Sequence, residues 1–379
     1  MSIKFIVQSD KFTVPDNCFK EDTFQIKSIP RPYNVVWDDQ AEPYKRINKI
    51  LSENTNNLLF IDEKVYKLHG KKINISKDRI LFAKAAEEFK TLNGVIKLID
   101  FLQEHNFTKG EKLVVVGGGI IQDVGAFAGI SFKRGIPWIY FPTTLLSMCD
   151  SCIGAKAGVN HKQIKNQISL FSSPSEVIIN PSFLKTLPSK DLKSGLGEIL
   201  KLYIIGGKKF INIYKKIVKK GNVKKISDYK KLLLGSLHVK KAVIELDEFE
   251  NNHRKVLNYG HTLGHAIESM SNYKISHGQG VALGMLLVNE FSYKRGHLPL
   301  KSKQLMEKLI VDLLDEKVIN IMKKLSVEQL ANLLKKDKKT MGNTINFAIL
   351  TDLGNIKLLP LNIDTSLCDE IRSIINKYF

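Results

Sequence analysis

The chain has 379 residues, a net charge of +20 and 43% hydrophobic residues. This length is enough for two ordinary domains with sizeable cores, and the composition is typical of a globular protein in solution. No apolar run approaches the roughly eighteen residues of a membrane span, and the N-terminus lacks the pattern of a secretory signal. Four cysteines are too few for a disulfide framework, so we expect a cytoplasmic protein.

The positive charge comes mainly from lysines scattered along amphipathic stretches such as residues 214–234. This pattern favours a solvated, lysine-rich surface, and a basic binding patch is the alternative. The sequence contains no recognisable nucleic-acid-binding motif. We therefore expect neither a nucleic-acid nor a membrane partner, although the charge could help to attract an anionic small substrate.

The first half of the sequence alternates between short apolar runs and amphipathic segments. The apolar runs predict buried strands at 58–62, 113–116, 138–141 and 177–179. Strands that alternate with helices are typical of a parallel α/β sheet. We therefore predict an N-terminal Rossmann-like nucleotide-binding domain over residues 1–185.

The segment after the strand 113–116 has the clearest anion-binding pattern of this half. Three glycines at 117–119 follow the strand, and a helical pattern follows the glycines. Backbone N–H groups at such a junction can face a phosphate. Asp123, in the first helical turn, either stabilises the positive end of the helix or contacts a ligand.

Other polar residues also follow predicted strands. Asp62 ends its strand, where it either caps the next helix or binds a ribose hydroxyl. Thr143 and Thr144 follow the strand 138–141, at the end where open α/β sheets bind ligands. Residues 150–166 look like a loop that is dense in small residues. The CxxC spacing of Cys149 and Cys152 has no second pair, so we interpret it as structural.

From about residue 186, long amphipathic segments predict a mostly α-helical second domain over residues 186–379. A β-hairpin is predicted within residues 337–361, ahead of a final helix. The segment 248–278 concentrates polar groups. Arg254, Asn258, His261 and His265 follow one another at steps of three or four, so a helix, with a break at Gly260, would place them on one face.

Glu198, His261 and His277 form a candidate metal site. Two histidines and one carboxylate, with one position open, are a known catalytic zinc set. His265 lies four residues after His261. It could join the metal or bind a substrate, because the intervening residues do not form the HExxH motif.

Taken together, these segments resemble the 3-dehydroquinate synthase family of sugar phosphate cyclases. The matching motifs, over about residues 55–350, are GGGIIQD, FKRGI, PTTLL, DSCIGAKAGVN, SGLGEILK, RKVLNYGHTLGHAIE and HGQGVALGM. The resemblance implies the dehydroquinate synthase-like α/β fold, with a Rossmann-like domain followed by a mainly helical metal and substrate domain. It also implies a cytoplasmic homodimer that serves the shikimate pathway and aromatic amino acid biosynthesis.

The resemblance implies an NAD- and zinc-dependent lyase, with Co2+ as another metal that the site could take. The phosphorylated substrate would be 3-deoxy-D-arabino-heptulosonate 7-phosphate and the product 3-dehydroquinate. Hydride removal would acidify a neighbouring C–H, phosphate would leave by β-elimination, and hydride return, ring opening and an aldol step would close the carbocycle. The alternatives are a sibling cyclase that makes another cyclitol, a metal-dependent alcohol or glycerol dehydrogenase, and a non-enzymatic binding protein.

The resemblance also implies roles for individual residues. The metal ligands would be Glu198, His261 and His277. The substrate and catalytic residues would be Arg134, Asp150, Lys156, Asn166, Lys201, Lys240, Glu250, Arg254, Asn258, His265 and Lys338. The NAD-binding residues would be Asp62, Glu87, Lys90, Gly118, Gly119, Asp123, Thr143, Thr144, Lys165 and Thr186.

Within the substrate set, the implied roles divide between the two ends of the substrate. The phosphate end would be bound by Arg134, Lys156, Asn166, His265 and Lys338, with Arg134 reaching the site of the partner subunit in a dimer. Arg254 and Asn258 suit a carboxylate, since a guanidinium can donate two parallel hydrogen bonds to it.

Several positions depart from the usual pattern of the family. Gln122 stands where Gly is common, Cys152 replaces a Ser, and Gly197 replaces an Ala. These changes indicate a divergent branch, but none removes a proposed ligand or charge. The 2-deoxy-scyllo-inosose branch usually carries Glu at the position of Asn258, and valiolone-type branches lose His265. The presence of both residues favours dehydroquinate chemistry.

Overall fold

The computed structural model describes residues 2–162, 164–325 and 344–379. The chain divides into two compact units. We call Lys20–Pro188 the sheet unit, and Met1–Phe19 together with Ser189–Phe379 the helical unit. The first nineteen residues therefore belong to the helical unit. The functional division at 185/186 stays a prediction.

The described strands are β1 (Ser2–Val7), β2 (Asp10–Pro15), β3 (Thr23–Ile26), β4 (Tyr33–Trp37), β5 (Leu58–Asp62), β6 (Ile80–Ala83), β7 (Leu113–Gly117), β8 (Trp138–Pro142), β9 (Lys156–His161), β10 (Ile164–Phe171), β11 (Glu176–Ile179), β12 (Val218–Lys219), β13 (Asn222–Val223), β14 (Thr344–Asp352) and β15 (Asn355–Asn362). The described α-helices are α1 (Tyr44–Ser52), α2 (Glu63–His69), α3 (Leu92–Glu104), α4 (Gly119–Ser131), α5 (Ser189–Gly206), α6 (Lys208–Ile217), α7 (Asp228–Ile244), α8 (His261–Met270), α9 (His277–Lys294), α10 (Leu300–Val311), α11 (Glu316–Met322) and α12 (Thr365–Tyr378).

The sheet unit is built on a seven-stranded sheet of order β3-β4-β11-β8-β7-β5-β6. Its pairs are parallel except for the edge pair of β3 and β4. The central strands β7 and β8 are buried along their whole length. Continuous burial is expected when helices cover both faces of a parallel sheet. The predicted α/β fold is confirmed, and so are the four predicted strands.

The order of the strands reverses between β5 and β7. From β5 the chain runs to the edge strand β6 and returns on the other side of β5 as β7. In open α/β sheets, ligands bind at the carboxyl ends of the strands beside such a switch point. Asp62 ends β5 and Gly117 ends β7. Asp62 and the glycines after β7, which are predicted to bind a nucleotide, therefore lie at the edge of the sheet where this fold class binds ligands.

The prediction of a loop over residues 150–166 was wrong. A π-helical turn spans Ser147–Ser151, and β9 and β10 form an antiparallel hairpin that begins at Lys156. Small residues dominate this segment, and they weaken the alternation of apolar and polar residues that marks a strand. Gly154 and Ala155 both have positive φ, which turns the chain sharply into β9.

The helical unit combines its helices with a four-stranded sheet of order β14-β15-β1-β2. β1 pairs in parallel with β15 and antiparallel with β2. The hairpin predicted near the C-terminus is confirmed from Thr344 onward. α5 and α9 are buried along most of their length and form the centre of this unit. None of the helices within the described ranges has both the length and the apolarity to cross a membrane.

A buried ion cluster ties the C-terminal helix α12 to α9. Glu290 on α9 is 1% exposed, and its carboxylate lies 2.7 Å from Lys303 Nζ and 2.6 Å from Lys377 Nζ. Tyr378 Oη donates a further hydrogen bond to it at 3.0 Å. Burial by itself raises the pKa of Glu290, but these hydrogen bonds outweigh burial and lower the pKa from 4.5 to about 2. The charge therefore stabilises the fold above about pH 4.5, and this contribution is lost as the pH falls towards 2.

We expect Glu290→Gln to lower the free energy of unfolding at neutral pH by about 3 kcal/mol, because two ammonium groups lose a buried partner. The difference from the wild type should shrink at about pH 3, where Glu290 begins to take up a proton in the unfolded and then the folded protein. Urea unfolding at both pH values measures this. The control, Asp369→Asn, removes an exposed pair with Arg372 and should change the stability by less than about 0.5 kcal/mol. An equal loss at both pH values would contradict the role of the charge.

Candidate metal and substrate site

The three predicted metal ligands come from three helices of the helical unit. Glu198 lies within α5, while His261 and His277 are the first residues of α8 and α9. α5 and α9 approach each other closely at Gly197 and Gly278, where a Cβ on either glycine would overlap the backbone of the other helix. This close approach brings Glu198 next to His277.

These side chains surround the Glu198 carboxylate. Glu198 Oε1 lies 3.2 Å from His277 Nε2 and 3.5 Å from His261 Nε2. Glu198 Oε2 lies 2.6 Å from Lys201 Nζ. Glu198 is completely buried, yet within the described ranges no donor makes a hydrogen bond of good geometry to either oxygen. A buried anion whose lone pairs are not used in this way is suited to coordinate a cation.

His265 lies one helical turn after His261 and joins this group. Nitrogen atoms of His261, His265 and His277 all lie within 4.8 Å of one another. His261 is buried, His277 is partly buried and His265 is exposed. The geometry is compatible with His265 as a further metal ligand and with His265 as a substrate contact, so both alternatives remain.

The members of the group differ in the protonation state that they favour. Burial, followed by the charge of Lys201, lowers the pKa of His261 well below 6.5 and favours the neutral imidazole that metals bind. Burial also acts to lower the pKa of His277, but the neighbouring carboxylates of Glu198 and Glu268 raise it to about 10. Burial raises the pKa of Glu198, but Lys201 and then His261 hold it well below 4.5. Without a metal, Glu198 therefore favours its charged carboxylate and His277 its protonated imidazolium. The carboxylates around His277 thus stabilise a positive charge at this place.

Glu268 on α8 orients His277 from its other side. Glu268 Oε2 lies 3.1 Å from His277 Nδ1, and Nε2 faces Glu198. A carboxylate on the second ring nitrogen is the usual partner of a histidine that binds metal. Glu268 has no role in the sequence-based prediction. Its position seven residues after His261, on the same helical face, is a signal that could have found it.

Glu250, Arg254 and Asn258 lie between α7 and α8, where a 3-10 helix spans His253–Asn258. Asn258 Nδ2 donates to Glu250 Oε1 at 2.8 Å. The Arg254 side chain is 3% exposed and donates to the carbonyl of Glu248. The predicted break falls at Gly260, which has a φ of 79° and precedes α8. The structure therefore brings Glu250 and Asn258 together, and their roles in substrate binding stay predictions.

Two lysines predicted to contact the substrate are buried in the same unit. Lys201 is 2% exposed on α5, and Lys240 is 7% exposed on α7. Buried lysines are uncommon unless they are paired, as Lys201 is with Glu198.

Several predicted NAD residues of the sheet unit pair with one another. Asp123 Oδ2 lies 2.5 Å from Lys90 Nζ, and Glu87 Oε1 lies 3.0 Å from Lys165 Nζ. Asp62 caps α2 by accepting a hydrogen bond from the backbone of residue 64 at 3.0 Å. The capping alternative for Asp62 is thus observed, and a ribose contact stays a prediction.

The remaining NAD candidates lie in the turns after the strands. Gly118 precedes α4 and Gly119 is its first residue. The backbone N–H of Thr143 donates to Gly117, at the end of β7, at 3.0 Å. Thr144 lies in the same turn and hydrogen-bonds with the hydroxyl of residue 147 at 2.8 Å. Thr186 Oγ1 lies 2.9 Å from the ring of residue 69.

The residues predicted for the phosphate end are exposed where the structure describes them. Lys156 begins β9, Asn166 lies in β10, and Arg134 ends a short 3-10 turn after α4. Asp150 lies in the π-helical turn. Lys338 lies outside the described residues.

Comparison with known protein families gives two adjoining matches. The family described as 3-dehydroquinate synthase N-terminal matches residues 80–194, and 3-dehydroquinate synthase C-terminal matches residues 195–340. The chain is 37% identical to the 3-dehydroquinate synthase of Pelagibacter ubique (strain HTCC1062), over 87% of this chain and 92% of that one. It is 32% identical to the 3-dehydroquinate synthase of Streptococcus equi subsp. equi (strain 4047), over 93% of this chain and 99% of that one.

Two solved structures have a similar fold. A 2-deoxy-scyllo-inosose synthase, complexed with carbaglucose-6-phosphate, NAD+ and Co2+, matches with a TM-score of 0.80 at 22% identity, covering 94% of this chain and 100% of that chain. A 2-epi-5-epi-valiolone synthase from Streptomyces hygroscopicus subsp. jinggangensis 5008, with NAD+ and Zn2+ bound, matches with a TM-score of 0.74 at 20% identity, covering 94% and 99%. At these identities the likeness establishes the fold, which agrees with the predicted one.

Proposed function

Because this chain belongs to the 3-dehydroquinate synthase family of carbon–oxygen lyases, we propose that it converts 3-deoxy-D-arabino-heptulosonate 7-phosphate to 3-dehydroquinate with NAD and Zn2+. It is a sugar phosphate cyclase, and the identity of the substrate is the proposed step. The observation that carries the proposal is the buried Glu198 carboxylate within 3.5 Å of two histidine nitrogens. Two histidines and one glutamate are one of the donor sets that hold catalytic zinc in proteins.

When bound, NAD would supply reversible hydride transfer, and Zn2+ or Co2+ would lower the pKa of the substrate's alcohol. We assign the metal to Glu198, His261 and His277. The ammonium of Lys201 offsets part of the Glu198 charge and contacts Oε2 of its carboxylate, whereas the histidines lie near Oε1. NAD is assigned to the turns after β5, β7 and β8, where backbone N–H groups at the start of α4 suit its phosphates.

The substrate's two anionic ends call for different donors. Arg254 is assigned to the carboxylate, because a planar guanidinium can donate two parallel hydrogen bonds to it. Glu250 and Asn258 already share a hydrogen bond and are assigned to the same end, with Lys240 and Asp150 as partners for hydroxyl groups. The phosphate is assigned to Lys156, Asn166, His265, Lys338 and Arg134. In a cytoplasmic homodimer, which we propose as the assembly, Arg134 would serve the site of the partner subunit.

Phosphate release tests this assignment. The protein, supplied with NAD and Zn2+, is assayed with heptulosonate 7-phosphate, sedoheptulose 7-phosphate and glucose 6-phosphate. We expect release from heptulosonate 7-phosphate to be far faster than from the other two, without accumulation of NADH, because the hydride is returned within each turnover. Faster release from one of the other two would assign a sibling cyclase, in line with the solved neighbours. Stoichiometric NADH with a simple alcohol would assign a dehydrogenase.

Metal binding gives a prediction that does not depend on turnover. Glu268→Gln should weaken Zn2+ binding by about 10- to 100-fold, because His277 loses the carboxylate that orients its ring. Competition with a chelator measures the affinity. Glu290→Gln is the control, since Glu290 lies thirteen residues further along α9, or about 20 Å along the helix axis. If both variants bind Zn2+ like the wild type, Glu268 does not support a metal ligand.

A further inference from the structure

The turn between α7 and α8 is built around the carboxylate of Asp247. Oδ1 of Asp247 accepts from the backbone N–H of Asn251 at 2.8 Å. Oδ2 accepts from the backbone N–H of Asn252 at 2.8 Å and of Arg254 at 2.9 Å. Burial raises the pKa of Asp247, but the backbone N–H groups, that of Arg254 first, outweigh it and lower the pKa. Both oxygens of an ionised carboxylate are thus engaged by the backbone of this turn.

The backbone of this turn requires such support. Glu250 has a φ of 61°, a left-handed conformation that is costly for a residue with a side chain. Asn252 has a φ of −144° and a ψ of −88°, outside the helical and extended regions. A strained turn persists only where surrounding contacts fix it. The three hydrogen bonds to Asp247 span both strained residues.

The N-terminal hairpin holds the outer edge of the same turn. Asp10 Oδ2 lies 2.6 Å from His253 Nε2, and Gln8 Nε2 donates to Asn252 Oδ1 at 2.8 Å. Both contacts lie within the helical unit. The hairpin therefore adds contacts from outside to a turn that Asp247 organises from within.

We propose that Asp247 is a positioning residue that acts through the backbone of this turn to place Arg254 and Glu250 for the substrate's carboxylate end. The proposal rests on the proposed function. Asp247 itself touches no substrate in this account, because its oxygens accept from the backbone. Its effect reaches the substrate through Arg254, whose own N–H it binds, and through Glu250, which lies between the residues it connects.

Asp247→Asn is the test, because an amide replaces one acceptor oxygen with a donor group and at most two of the three hydrogen bonds can remain. We expect kcat/KM for heptulosonate 7-phosphate to fall about 10- to 100-fold, as a displaced binding group would cause. Because part of its effect passes through Arg254, adding Asp247→Asn to Arg254→Ala should cause a smaller further loss than Asp247→Asn causes in the wild type. Hydrogen exchange of the backbone over residues 250–254 should be faster in Asp247→Asn than in the wild type.

The control is Asp364→Asn. Asp364 also accepts from a backbone N–H, that of Leu367 at 2.8 Å, but it caps the C-terminal helix. This variant should leave kcat/KM and exchange over residues 250–254 unchanged. Asp247→Glu keeps the charge but displaces the carboxylate, so it should behave like Asp247→Asn. It serves as the second variant if the Asp247→Asn protein does not fold.

Two results would overturn the proposal. One is unchanged exchange over residues 250–254, and the other is a double variant in which the two losses multiply. If the wild type releases no phosphate from heptulosonate 7-phosphate, the proposed function fails. The exchange measurement still decides in that case whether Asp247 fixes the turn.

Discussion

His261→Ala is expected to remove metal binding and turnover together. His261 Nε2 lies 3.5 Å from the Glu198 carboxylate, and its environment favours the neutral imidazole that a metal requires. Without it, the metal would keep only one histidine and one carboxylate from the proposed set. A residue that only orients a ligand changes metal affinity by about 10- to 100-fold, so the loss of a ligand itself should exceed this range.

Metal content and phosphate release should be measured on the same preparation after gel filtration. His297→Ala is the matched control, because His297 lies in the helical unit after α9 and outside the histidine group. A fully active His261→Ala protein with a normal metal content would remove His261 from the ligand set.

His265→Ala separates the two alternatives for His265. Loss of metal makes it a ligand, whereas loss of turnover with the metal retained makes it a substrate contact.

The strands of the sheet unit could be predicted because their signal is local. Buried parallel strands such as Leu58–Asp62 and Leu113–Gly117 are short apolar runs that end at a polar residue or a glycine. The place of the N-terminus could not be predicted in this way. Ile6 pairs with Asn355, so the partner of β1 lies at the other end of the chain. No local pattern encodes that pairing.

In the candidate site, too, features with a local sequence signal could be predicted, whereas features that depend on distant contacts could not. Residue types in the sequence point to His261, His265 and His277, and a helical step of four joins the first two. The contact of Glu198 with His277 depends on a close helix crossing at Gly197, a position at which the sequence showed only a departure from the family pattern. Acidic residues that work through a neighbour, such as Glu268 and Asp247, resemble ordinary surface acids until their partners are known. Positioning residues are therefore harder to predict from a sequence than ligands are.

Arg254→Ala is expected to distinguish between substrates that differ only at one end. With heptulosonate 7-phosphate, kcat/KM should fall by about 10²- to 10³-fold, because a carboxylate loses a charged, desolvated partner at a cost of roughly 3 to 4 kcal/mol. Any residual turnover of sedoheptulose 7-phosphate, which has no carboxylate, should change little. Arg254→Lys should lie between the wild type and Arg254→Ala with the first substrate, since an ammonium keeps the charge but not the two parallel hydrogen bonds.

The comparison depends on Arg254 being buried, because an exposed arginine would contribute much less. Arg372→Ala removes an exposed arginine of the same unit and should leave both rates unchanged. If Arg254→Ala lowers the two rates by equal factors, the guanidinium does not recognise a carboxylate. The substrate would then be one without that group, and the chain would be a sibling cyclase, even though Asn258 and His265 are present.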